Sequence, residues 1–318
     1  MGRVIPLVPL LAALLAVSPS ARGPNPATLE PGDTTITLNQ DGRRRSYIVH
    51  VPPGGRPAAP RALLVAFHGG GGHAAQFQSD AGLDRLADRE GVVVVYPNGT
   101  GRLAQRLLTF NAGKDCCGYA HDQGVDDVGF AAAVVADVSG RTPIDRRRVY
   151  ATGHSNGAIM AYRLAAERAE LVAAIAPVAG AMSVETFRPS RPVAVMHIHS
   201  VDDPRALYDG GLGPPFPGTS RRIAHAPVRQ ALDRWIDVNG CRTAPNVTDR
   251  REAGRETAER LAYGPCASGS DVVHWKLTGA GHGWPGAPAS PLARWVGPPV
   301  TVINAADEIW QFVRRYQR

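Results

Sequence analysis

A chain of 318 residues that is 44% hydrophobic and 20% charged has an ordinary globular composition, enough for one large domain or two small ones. Its net charge of +7 sets 35 bases against 28 acids, and only Lys114 and Lys276 are lysines. The arginines are scattered or fall in short runs such as 43–45 and 146–148, without interleaved aromatics, which excludes a nucleic-acid-binding stripe.

Residues 1–21 read as a signal peptide. Arg3 supplies the positive start, 4–17 are apolar, and Ser18, Pro19, Ser20 and Ala21 offer small residues for cleavage. The apolar run is too short to span a bilayer comfortably, no later stretch qualifies, and no Cys near the cleavage region points to a lipid anchor. The expectation is a secreted protein, extracellular or periplasmic, with no stable membrane insertion. Without an internal repeat or a strong linker, residues 22–318 are expected to form one domain.

Strands are predicted at 34–38 and 46–51, with Asp41-Gly42 as the hairpin signal, and at 62–67, whose unbroken apolar character fits a strand covered on both faces. That strand runs into His68-Gly69-Gly70-Gly71-Gly72-His73, where a glycine cluster lets backbone N–H groups approach an anion. A helix at 83–90 and a β-branched strand at 92–96 follow, then an irregular excursion at 100–120 and a helix at 125–138 opened by Asp126 and Asp127. Further strands are predicted at 171–178, 193–199 and 272–277, the last taken as the final strand, and helices at 228–238 and 305–316. Strands alternating with helices, several of them almost wholly apolar, predict an α/β fold with a mostly parallel central sheet flanked by helices.

The chemistry centres on Gly153-His154-Ser155-Asn156-Gly157, between apolar Val149-Tyr150 and a helix-like stretch. A Gly-x-Ser-x-Gly pattern at a strand-to-helix turn makes a sharp elbow that exposes the Ser hydroxyl above a helix N-terminus. The pattern alone is weak, and a Gly-rich turn whose Ser merely caps the helix is the bland alternative. A Ser hydroxyl needs a base, and the base a carboxylate, and on this plan they follow in the order Ser, acid, His. Among the seven Asp between Ser155 and the last His, only Asp202 and Asp203 directly follow a buried strand. His282 sits in a small-residue loop just after the last strand, whereas His274 is mid-strand and His225 begins a helical stretch. The expected oxyanion donors are the backbone N–H of Asn156 and one from the glycine cluster, with Gly70 and Gly71 foremost. Trp284 and His154 are expected to touch the substrate.

Cys241 and Cys266 flank a polar, Arg-rich excursion that a disulfide would tie, while adjacent Cys116 and Cys117 leave a vicinal bond, other partners or free thiols open. No Cys or His spacing supports zinc. No metal or cofactor is expected, because proton transfer and electrostatics suffice.

These blocks carry a resemblance. Asn111-Ala112-Gly113, Cys116-Cys117-Gly118, Val125-Asp126-Asp127-Val128-Gly129-Phe130, the elbow, Asn239-Gly240-Cys241 and Gly281-His282-Gly283-Trp284-Pro285-Gly286 resemble the secreted polyhydroxybutyrate-depolymerase-type esterases, which are related to bacterial feruloyl and acetylxylan esterases. The resemblance covers nearly the whole mature chain. It implies an α/β-hydrolase fold, Ser155 as nucleophile, His282 as base and, by the family's His-Ile-His-Gly-x-x-Asp-Pro pattern, Asp203 before Pro204 as the orienting acid. The chain departs from that pattern at Ser200, where the family has Gly, and at Asp202, where it has a small residue; Ala158 replaces a common third Gly after the elbow. The expected partner is an ester substrate, polyester or acylated polysaccharide, met by a monomer. A peptidase of the same fold and a non-catalytic binding protein derived from it are the competing readings.

Overall fold

The computed structural model describes residues 1–2, 28–54, 59–103, 106–114, 116–216, 220–289 and 293–318. The apolar run of the expected signal peptide therefore lies outside the described residues.

Six strands run parallel in the centre of a ten-stranded sheet: β4 (Val93–Pro97), β3 (Arg61–Phe67), β5 (Ile144–His154), β6 (Ala174–Val178), β7 (Ala194–Ser200) and β12 (Val272–Thr278), in that spatial order. Both faces of these strands are covered, which is why they read as apolar runs instead of alternating. At one edge β4 pairs with antiparallel β2 (Arg43–Val51), and β2 with β1 (Gly32–Gln40), joined at Asp41-Gly42 as the hairpin signal predicts.

The other edge differs from expectation. The segment read as an excursion between the cysteines is an antiparallel hairpin, β10 (Asn246–Ala253) and β11 (Glu256–Ala262), and β11 pairs with β12. Its alternation is arginine and glutamate against threonine and alanine, too polar for a strand signal, yet charged side chains suit a sheet edge because they discourage further pairing. The hairpin adds to the sheet what the sequence reading ended at 272–277.

Helices cover both faces. On one, α4 (Asp127–Arg141), α5 (Asn156–Glu167) and α6 (Val228–Asn239) contribute Val134, Val138, Leu164, Leu232 and Trp235 to a core with Val65 and Val149. On the other, α1 (Ala74–Ala81), α2 (Leu83–Glu90) and α8 (Ala305–Val313) bring Phe77, Leu86, Ile309 and Phe312 against Leu64, Val94 and Met196. Asp126 caps α4 by accepting from the Gly129 N–H at 2.7 Å, an interaction worth about 1 kcal/mol at such a position. Helix α1 has no counterpart in the sequence reading; Gly82 in the left-handed region separates it from α2. Four short elements complete the set among the described residues, α3 (Gly118–Asp122), the paired β8 (Gly211–Leu212) and β9 (Ala224–His225), and α7 (Ala293–Val296).

Cys241 and Cys266 are bonded to each other, 25 positions apart, and the bond ties the end of α6 to the far end of the β10–β11 hairpin. Closing a loop of that size restricts the unfolded chain by about 3 kcal/mol. Reductant is expected to lower the thermal midpoint of the protein before it affects turnover, and non-reducing peptide mapping should recover these two cysteines in one cross-linked species. Both alkylated without reductant, or each joined to Cys116 or Cys117, is the contrary outcome.

Candidate active site

The carboxyl ends of β3, β5, β7 and β12 bring the glycine cluster, the elbow, Asp203 and His282 to one edge of the sheet. Ser155 sits between β5 and α5 with φ 55° and ψ −117°, a left-handed conformation that only a tightly constrained turn imposes on a non-glycine residue. The constraint comes from close backbone approach. A Cβ on Gly153 would run into the Gly157 carbonyl, and a Cβ on Gly157 into that of Phe67. The Ser155 side chain makes no capping bond to its helix; its Oγ lies 2.9 Å from His282 Nε2.

His282 Nδ1 lies 2.7 Å from Asp203 Oδ2, so its proton sits on Nδ1 against the carboxylate and leaves Nε2 able to accept from the Ser155 hydroxyl. Asp203 is buried and accepts three hydrogen bonds, with a fourth nitrogen, His199 Nε2, close by. The Arg205 and Ala206 N–H groups reach Oδ1 at 2.7 and 2.9 Å, His282 reaches Oδ2, and His199 Nε2 lies 3.3 Å from Oδ2. Burial pushes its pKa up, but the charge of His282, the approach of His199 and the bond from His282 outweigh this and hold the carboxyl well below the usual range. Asp202 beside it is exposed and accepts the Gly279 N–H at 2.7 Å, while Ser200 Oγ donates to the Ala280 carbonyl at 2.6 Å. Thus the two residues that depart from the family pattern both fasten the loop that carries His282.

Behind Asp203 runs a buried chain. His199 Nε2 faces the Ala206 carbonyl at 2.8 Å and therefore carries a proton there, His199 Nδ1 meets His197 Nε2 at 3.0 Å, and His197 Nδ1 meets the Tyr162 hydroxyl at 3.1 Å. His274, alongside, has Nδ1 against the His197 carbonyl and Nε2 against the Tyr208 hydroxyl. Burial keeps His197 well below its ordinary pKa, lowers His154 and His274 to about 3, and lowers His68 and His225 to about 4. Such groups are neutral when folded but take a proton near pH 6.5 when unfolded, so between about pH 6.5 and 4 the unfolded chain binds more protons and stability rises with pH. His50 opposes this, since its bonds to Asp33 and Asp88 outweigh burial and raise its pKa. Asp80, Asp84 and Asp127, whose carboxyls burial raises, oppose it too at the acid end of the window, so five groups stand against four, and between pH 7 and 5 the five histidines decide the sign. The thermal midpoint is expected to be lower at pH 5 than at pH 7, and a flat or inverted profile in scanning fluorimetry would contradict the assignment of these histidines as neutral.

Of the two glycines foremost in the sequence reading, Gly70 faces the pocket and its N–H has no hydrogen-bond partner among the described residues. Gly71 is a correction. Its N–H donates to the Leu108 carbonyl at 2.8 Å and is not available to an oxyanion. The Asn156 N–H opens α5, where the first donors have no partner within the helix. The Asn156 side chain has a separate task that the sequence did not reveal. Its Oδ1 accepts the Phe110 N–H at 2.7 Å and its Nδ2 donates to the Phe110 carbonyl at 2.9 Å, clamping the backbone at Phe110 against the elbow. Nδ2 also faces the sulfurs of Cys116 and Cys117, which are bonded to each other across a cis peptide and line the pocket.

Two expected substrate contacts are also corrected. Trp284 is buried, donates its Nε1–H to the Ala81 carbonyl at 3.1 Å and packs edge-on against Phe77, away from the pocket. His154 is half-buried, with Nε2 3.0 Å from the His282 carbonyl and its ring against that of His282, where it supports the loop and is not among the residues that line the pocket. Asp127 opens α4 as expected and is in addition buried, bonded to Arg45 at 2.5 Å and to the Asn111 N–H at 2.7 Å. Away from the site, Asp33, His50 and Asp84 bring donor atoms within 4.8 Å of one another, but both His50 nitrogens are engaged by carboxylates, Asp33 at 2.7 Å and Asp88 at 3.0 Å. That arrangement is an ion-pair cluster.

A strand, a sharp elbow and a helix, with an acid and a histidine on the ends of later parallel strands, make the plan of an α/β-hydrolase. Solved structures agree: the acetyl xylan esterase from Aspergillus awamori superposes with a TM-score of 0.57 at 16% identity, covering 88% of this chain and 99% of that one. Within that fold class the sequence is more specific. Residues 45–241 match the model of the Esterase PHB depolymerase family, and the chain belongs to it. It is 31% identical over 323 residues to NocK of Nocardia uniformis subsp. tsuyamanensis, covering 97% of this chain and 89% of that one. It is 30% identical over 281 residues to feruloyl esterase D of Neurospora crassa, covering 87% and 86%. As a member of this esterase family, the protein is a carboxylic ester hydrolase.

Proposed function

We propose that the protein is an exported serine esterase that works through an acyl-enzyme. The observation that carries the reading is the unbroken chain from Ser155 Oγ through His282 to Asp203 Oδ2, at 2.9 and 2.7 Å. His282 Nε2 takes the hydroxyl proton as Ser155 Oγ attacks the ester carbonyl, and Asp203, held ionised, stabilises the imidazolium that results. The oxyanion that forms is met by the N–H groups of Asn156 and Gly70 at the positive end of α5. His282 then returns its proton to the departing alcohol, and water, deprotonated in turn by His282, releases the acid. These steps need only proton transfer and charge stabilisation.

The substrates proposed are polyhydroxyalkanoate-type polyesters or acyl and hydroxycinnamoyl esters of plant polysaccharide, consistent with the family and with a relative named feruloyl esterase. Export is proposed from the leader-like residues 1–21 together with four cysteines that are bonded in pairs. Among the described residues no helix is long and apolar enough to cross a membrane. Purified protein assayed side by side on p-nitrophenyl butyrate, polyhydroxybutyrate and feruloylated xylan should hydrolyse the soluble ester and one of the two polymers. No turnover of any of the three contradicts the proposal.

A further inference from the structure

The mouth of the pocket carries a charge that the reaction itself does not use. Arg205 lines the pocket together with Pro214, Phe216, Ile223 and His225, and among the described residues that line it none is acidic. Its backbone N–H donates to Asp203 Oδ1 at 2.7 Å, which ties its position to the triad. Its guanidinium donates one bond, from Nη1 to the Pro215 carbonyl at 3.1 Å, and stands 5.6 Å over the Phe216 ring. No ion pair to Arg205 forms among the described residues. The neighbouring Arg221 is different, because Asp122 holds it bidentately at 2.6 and 2.7 Å. The acid whose charge acts on Arg205 is Asp203, which is buried and already accepts three hydrogen bonds. A planar guanidinium with donors to spare, standing over the Phe216 ring in the lining of the pocket that also holds Ser155, is suited to receive a carboxylate.

We infer that Arg205 selects esters that bear a carboxylate near the scissile bond, on the acyl or the alcohol part, over neutral esters of the same size. The inference rests on the esterase reading above and names a substrate class for it. Burial lowers the pKa of His225 to about 4 and leaves it uncharged at neutral pH, so Arg205 is the fixed positive charge at this lip. Chain ends of a hydroxyacid oligomer and half-esters of diacids both present such a carboxylate, whereas a simple acetyl ester presents none.

The test compares matched substrates. The acyl-side pair is mono-p-nitrophenyl glutarate against p-nitrophenyl pentanoate, and the alcohol-side pair is carboxyphenyl butyrate against phenyl butyrate. Each pair is assayed on the unaltered protein, Arg205→Gln and Arg205→Lys at low salt. In one pair the anionic-to-neutral ratio of kcat/KM is expected to fall about tenfold in Arg205→Gln, as for a partly exposed charge-assisted pair, and to stay within a few-fold in Arg205→Lys. Added salt should move the ratio of the unaltered protein toward that of Arg205→Gln. Ratios that do not change with substitution in either pair, or do not respond to salt, overturn the inference while leaving the esterase reading intact. If Ser155→Ala hydrolyses the neutral esters as fast as the unaltered protein, the esterase reading fails first and the inference with it.

Discussion

Ser155→Ala is expected to cut ester turnover by about 10³–10⁶-fold with no loss of thermal stability. The hydroxyl points out of the elbow toward His282 and makes no capping bond, so removing it takes away the nucleophile without unmaking any contact that holds α5. The strained backbone at position 155 stays, since it is set by the approach of Gly153 and Gly157 to neighbouring carbonyls. Measured on p-nitrophenyl butyrate, a variant within tenfold of the unaltered protein would remove Ser155 from the chemistry.

Asp203→Asn is expected to lower kcat by about 10³–10⁴-fold, and Asp202→Asn by no more than a few-fold. An amide at 203 turns a donor toward His282 Nδ1 or removes an acceptor from it, so the imidazole no longer presents an accepting Nε2 to Ser155. The same change disturbs the bonds from Arg205 and Ala206 and the approach of His199, which converge on this carboxylate. Asp202 only accepts the Gly279 N–H, which an Asn oxygen can also do. Equal losses in the two variants would mean that the acid is shared, and the reverse order would place it at 202.

The parts of the fold that were legible in the sequence are those whose signal is local. The unbroken apolar run ending at Phe67 could only be a strand covered twice, and the elbow glycines form a pattern local to the turn, although the carbonyls they make room for include that of Phe67 on β3. What stayed hidden depends on partners far along the chain. Nothing in the arginine-rich stretch between Cys241 and Cys266 announces a hairpin until β12 offers it an edge, because its alternation is polar on polar. Asp127 looks like any helix-opening acid until Arg45, from another strand, buries it. Position along the chain located the glycine cluster but could not separate Gly70 from Gly71, since the difference is one hydrogen bond to Leu108. For the same reason Trp284 and His154, adjacent in sequence to the base and nucleophile, were expected at the pocket and are found supporting it from behind.

The central claim, covalent chemistry at Ser155, is tested most directly by intact-mass and peptide mass spectrometry after treatment with a p-nitrophenyl alkylphosphonate. Such a reagent carries a tetrahedral phosphorus that an activated serine attacks with loss of p-nitrophenolate. The account predicts one adduct per chain, located on the peptide that contains Ser155, appearing in step with the loss of ester turnover. An adduct elsewhere, or full turnover with Ser155 unmodified after prolonged exposure, would contradict it.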